Sequence, residues 1–77
     1  MFEWDEAKSR ANFKERGFDF AYAAGIFDGR TLELDDDRFN YGERRILAIG
    51  RVEKDTLVVV YTWRRGVRRI ISARLAK

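Results

Sequence analysis

The stretch YTWRRGVRRIISAR, residues 61–74, places Arg64, Arg65, Arg68, Arg69 and Arg74 around what reads as two strands meeting at a turn. Guanidinium groups packed this closely repel one another, so stability alone does not account for them. Arginine does have a use in such numbers. Its planar fork binds phosphate oxygens through two parallel hydrogen bonds, and its charge is permanent. Arg44 and Arg45 open the strand expected beside this hairpin, so cations drawn from several strands could follow a bent phosphate backbone. Tyr41, Tyr61 and Trp63 are interleaved with them, and base stacking on such rings contributes about 1–3 kcal/mol per base. Two plainer readings stand beside this one: a solvated hairpin end for the arginines, and strand packing for the rings.

The elements that must position these side chains follow from apolar spacing. FEW (2–4) suits a short edge strand. Asp5 can cap a helix over EAKSRANFKER, which Gly17 ends in a left-handed residue. Asp19 can cap a second helix over 19–27, whose Phe20, Ala23, Ala24 and Phe27 form an apolar stripe. Beyond Asp28-Gly29 the apolar period changes from 3.6 to 2. TLEL, RRILAIGRV, TLVVVYTW and VRRIISAR then read as strands of an antiparallel sheet between residues 30 and 74, with an acidic loop, DDDRFNYGE, after the first. The near-continuous apolar run in TLVVVYTW suggests a central strand covered on both faces. Strict alternation in the last strand sets Arg68, Ile70, Ser72 and Arg74 on one face and Val67, Arg69, Ile71 and Ala73 on the other, with the arginines at the rims. The expected class is α+β: two N-terminal helices packed on a small antiparallel sheet, in one domain spanning residues 1–77.

Composition narrows the chemistry. The 77 residues contain no cysteine and no histidine, which excludes disulfides, thiolate or imidazole metal sites, and any histidine acid, base or triad. No metal or other cofactor is expected. No run reaches the ~18 apolar residues of a membrane span, and the N-terminus lacks a signal-peptide pattern, so a cytoplasmic address is expected. The net charge of +3 hides an asymmetry: residues 1–42 carry −4 and residues 43–77 carry +7. A basic half points to phosphate-rich or acidic partners, unless the two halves simply neutralise each other in the fold.

FEWDEAKSRANFKERGFDFAYAAGIFDG, DDDRFNYGERRILAIGRV and VVVYTWRRGVRRIISARLAK, in that order, resemble the BrnT family, toxins of bacterial type II toxin–antitoxin modules. The resemblance implies a RelE-like ribonuclease fold and cleavage or inhibition of RNA used in translation. It also implies a cognate BrnA-type ribbon–helix–helix antitoxin that masks the toxin and supplies the contact to operator DNA. The polar positions that carry it are Lys8, Glu43, Arg45, Arg64, Arg69, Ser72 and Arg74. Where family members often have histidine, this chain has Arg16 and Phe39.

RNA cleavage needs 2′-hydroxyl activation, stabilisation of charge on the phosphorane, and protonation of the leaving oxygen. Among the matching positions, arginine's permanent charge makes it a poor base but a strong stabiliser, which assigns Arg64, Arg69 and Arg74 to the charge-stabilising clamp. Glu43 is then the best available base, with Lys8 second. Arg44, Arg45, Arg65, Arg68, Ser72, Tyr61 and Trp63 are expected along the bound RNA. A plain salt bridge between Glu43 and an arginine is the competing role for Glu43. A catalytically attenuated, antitoxin-binding co-repressor subunit is the competing function for the chain.

Overall fold

In a computed structural model, which describes residues 1–76, the chain runs β1 (Phe2–Trp4), α1 (Glu6–Arg16), α2 (Phe20–Ala23), a 3₁₀ turn (Ala24–Asp28), β2 (Leu32–Asp35), β3 (Ile46–Val52), β4 (Asp55–Arg64) and β5 (Val67–Leu75). Both helix caps read from the sequence are present. The Asp5 carboxylate accepts from the amides of Ala7 and Lys8, and Gly17 adopts φ 88° with its N–H donating to the Phe13 carbonyl. The face that α1 turns inward is polar. Ser9 Oγ accepts from the Phe20 amide at 3.0 Å, and Asn12 Nδ2 donates to the Phe18 carbonyl at 2.9 Å. Hydrogen bonds to the α1–α2 junction therefore seat this helix, with no apolar stripe of its own.

The expected 19–27 helix is shorter. Asp19 caps it as anticipated, but after Ala23 the backbone tightens into the 3₁₀ turn. The cause lies across the interface with β3. A Cβ on Gly50 would sit 2.9 Å from Ile26 Cβ, and one on Gly25 3.2 Å from Val52 Cγ2, so two glycines let the turn press directly onto the strand. The tighter winding brings Ile26 fully into the core, and leaves Ala24 and Phe27 only partly buried.

The sheet has five strands in the order β1-β5-β4-β3-β2. β1 runs parallel to β5 and every other pair is antiparallel. The sheet is thus mixed and larger than expected, and both helices sit in the crossover between β1 and β2 instead of preceding the sheet. Among the described residues, no helix is long and apolar enough to cross a membrane.

Helices cover one face only. Phe18, Phe20, Ala23 and Ile26 pack against Ile46, Ala48, Leu57, Val59, Tyr61, Ile70 and Ala73. Val58 and Val60 point the other way and lie outside this cluster, although each is only 6% exposed. The apolar run of β4 therefore does not signal a second layer of helices. A register shift further corrects the reading of β5. Val60 is opposite Ser72 while Tyr61 is opposite Ile70, so Ile71 is an extra residue in a β-bulge. Beyond it the faces exchange: Arg68, Ile70 and Ala73 share the helix side, and Arg69, Ser72 and Arg74 share the open side.

Candidate functional site

The open face gathers charge at one end of β4. Thr62 and Arg64 project from β4, Arg69 lies opposite Thr62 on β5, and Glu3 lies opposite Arg69 on β1. The loop that enters β3 is fastened to this end, because Thr62 Oγ1 donates to the Arg44 carbonyl at 2.7 Å. That bond sets Glu43 and Arg45 beside the β4 tip. Glu43 accepts from Arg45 Nε at 3.2 Å through one oxygen and from Arg64 Nη2 at 3.3 Å through the other. Arg45 is held from behind by the Tyr41 ring, 4.0 Å from its guanidinium carbon. Arg69 Nη1 meets Glu3 Oε2 at 3.2 Å, with both side chains about one-third exposed or less.

Burial pushes the Glu43 carboxyl up, but the hydrogen bonds and charges of Arg45 and Arg64 outweigh it and hold the group below its ordinary value. The result is an ionised carboxylate between two cations, with Arg69 on the next strand. Such an arrangement can accept a proton once a guanidinium is drawn away, and can receive a phosphate between the arginines.

The other sequence-derived positions disperse. Arg74 is on the same face but opposite Val58, four residues along β4 from Thr62, or about 13 Å. It is exposed and, among the described residues, donates to the Leu75 carbonyl. Ser72 lies between, opposite Val60. Lys8, on α1, lines a shallow cavity of about 180 Å³ with Ser72 and Ile71, away from Glu43. Arg44 pairs with Asp35 at 2.9 Å in full solvent. Arg65 and Gly66 form the two-residue tip of the β4–β5 hairpin, both with positive φ (52° and 77°).

Arg68 and Tyr61 are not at a rim. Tyr61 is 1% exposed, and its hydroxyl donates to Glu33 at 2.9 Å; a ring so enclosed cannot stack on a base. The Arg68 guanidinium lies 4.0 Å from the Phe27 ring centroid, 4.8 Å from Tyr61, 4.7 Å from Trp63 and 5.8 Å from Phe2. Its Nε is buried without a hydrogen-bond partner among the described residues. This arginine is a packing element whose charge is offset by π-faces. Trp63, half exposed, stands on the helix side with its ring edge-to-face on Tyr61.

Sequence reasoning missed Glu3, Thr62 and Asp36. Glu3 could have been found, since it alternates with Phe2 and Trp4 in the edge strand. Asp36 gave no local signal, yet its carboxylate is buried and receives Arg38 at 2.7 Å and Tyr41 at 3.2 Å, so it organises the loop that carries Glu43.

A carboxylate carried on the loop into β3 and flanked by arginines, on the sheet face away from the helices, is an arrangement suited to acting on phosphate esters. Residues 4–77 match the family described as ribonuclease toxin, BrnT, of type II toxin–antitoxin system, and the chain belongs to that family. No curated protein matches it.

Proposed function

We propose that the protein cleaves RNA at the Glu43–Arg45–Arg64 cluster without a metal ion, blocks translation by doing so in the cytoplasm, and is neutralised by a BrnA-type antitoxin. The observation that carries this reading is the sharing of one carboxylate by two arginines, one oxygen each. Family membership supplies the reaction class.

In this scheme an incoming phosphate draws Arg64, the more exposed of the two cations, off Glu43. Loss of that partner raises the carboxylate's proton affinity at the moment it is needed. Glu43 takes the proton of the 2′-hydroxyl, the 2′-oxygen forms its bond to phosphorus, and the bond to the 5′-oxygen breaks. The 5′-oxygen takes a proton from water. Arg45, Arg64 and Arg69 stabilise the charge that develops on the phosphorane oxygens. Arg74, Ser72 and Lys8 contact the strand farther along, and Arg44 and Arg65 add to the field that attracts it.

A second reading, a catalytically attenuated co-repressor subunit, is favoured by one observation: Glu43 rests as a fully paired, weakly basic carboxylate. Incubating the purified chain with RNA in excess EDTA and mapping the ends separates the two. Discrete cleavage that Arg64→Ala abolishes supports the nuclease. Intact RNA with wild-type protein supports the co-repressor.

A further inference from the structure

Beside the charged cluster, the open face carries two apolar rows that no helix of the chain covers. Leu32 is opposite Ile49, Ile49 opposite Val58, and Val58 opposite Arg74. Leu34 is opposite Leu47, Leu47 opposite Val60, and Val60 opposite Ser72. Leu32 and Leu34 are 61% and 54% exposed, on an edge strand whose outer side is unpaired. Aliphatic side chains displayed in register on a free edge favour aggregation unless something covers them.

Charge selects the occupant. Arg74 closes one row, and Arg45, Arg64 and Arg69 stand at the adjoining end of the face. A second copy applied through this face would set one basic end against another whichever way the two-fold runs, a repulsive contact. RNA would satisfy the arginines but has no aliphatic surface to lay on the leucines. An acidic amphipathic polypeptide satisfies both.

We propose that the apolar rows are the docking surface for the antitoxin. An acidic amphipathic segment lays its apolar side on Leu32, Leu34, Leu47 and Ile49, with carboxylates reaching Arg74 at one end and Arg45 and Arg64 at the other. That an antitoxin exists follows from family membership; its acidic amphipathic character is what the surface asks for. The consequence that docking shuts RNA out of the Glu43 cluster rests on the cleavage site proposed above.

The test uses the full chain and the antitoxin encoded beside it, with affinity and RNA cleavage measured on the same samples. The double variant Leu32→Ser, Leu34→Ser should weaken antitoxin binding about 100-fold, as for two interface anchors, while still cleaving RNA. Arg74→Glu, at an exposed position, should weaken it about tenfold and guards against misfolding of the double variant. Phe13→Ser, which removes an exposed ring on α1, should change affinity less than about threefold. Undiminished affinity in both the double variant and Arg74→Glu overturns the proposal. So does a loss confined to Phe13→Ser, which would move the antitoxin to the helix side. A dimer of the free chain that dissociates in the double variant, with antitoxin affinity intact, overturns it in favour of a second copy. If wild-type protein leaves RNA intact, the cleavage reading fails, and the affinities still decide the docking surface.

Discussion

Arg64 and Arg68 sit on either side of one hairpin turn, identical in type and four residues apart, and the pleat sends them to opposite fates. Arg64 points to the open face, half exposed, and shares Glu43 with Arg45. Arg68 points to the helix side, where rings of Phe2, Phe27, Tyr61 and Trp63 surround its guanidinium. A cation held by exchangeable carboxylates can be drawn to a phosphate. A cation stacked among aromatic rings is committed to the fold. Arginine-rich sequence therefore supplies two different materials here, sorted by strand parity.

The contrast breaks first at Arg64. Arg64→Ala should lower RNA cleavage about 100- to 1,000-fold, the usual cost of one lost stabiliser of transition-state charge, while shifting stability by no more than about 0.5–1 kcal/mol. Cleavage assays and denaturant melts on one preparation give both numbers. Arg68→Ala should show the reverse, a loss of about 2–3 kcal/mol of stability from forfeited packing and cation–π contacts. Arg68→Lys should recover only part of it, because a compact ammonium cannot stack on several rings.

Smaller effects are expected in the scaffold of each side. Asp36→Asn should cost about 1–2 kcal/mol, since it removes charged hydrogen bonds to a buried carboxylate whose partner Arg38 is largely exposed. The hydrogen bond from Arg38 holds the Asp36 carboxyl below its ordinary value, against burial. The folded state thus binds fewer protons, so this stabilisation is present above the ordinary carboxylate value and is lost as pH falls through the lowered one. Melts in the acid range should show a shallower loss for the Asp36→Asn variant than for wild type, with Glu43 supplying part of what remains. On the helix side, the Tyr22 hydroxyl donates to Asp55 at 2.7 Å and, chiefly through that bond, is pushed up from 10.0 to about 12. Its contribution is complete below pH 10 and disappears as pH rises through 12. Tyr22→Phe should flatten the alkaline limb, leaving the smaller contribution of Tyr61, which burial and Glu33 also raise.

Local features were legible in the sequence. Asp5, Gly17 and Asp19 act within one turn of where they stand, so capping could be read residue by residue. The strands of the 30–74 region could also be read, because alternation is local. What escaped depended on distant partners. The shortening of the second helix is dictated by Gly50 on β3, far along the chain. The parallel docking of β1 needs the whole crossover. The single extra residue at Ile71 defeated strict alternation and misassigned Ser72 and Arg74, although Glu43, Arg45, Arg64 and Arg69 still fell together. Tyr61 and Arg68 looked like site residues because aromatic and basic side chains serve a core and an RNA surface equally well.

The central claim is that one carboxylate held between two arginines performs the proton transfer of RNA cleavage. Glu43→Gln keeps the side chain's size and an acceptor for the arginines but removes the charge and the basicity. Single-turnover cleavage of a defined RNA by this variant should fall at least about 100-fold, with a melting temperature lowered only modestly by the lost ion pairs. Cleavage at the wild-type rate by folded Glu43→Gln would contradict the account.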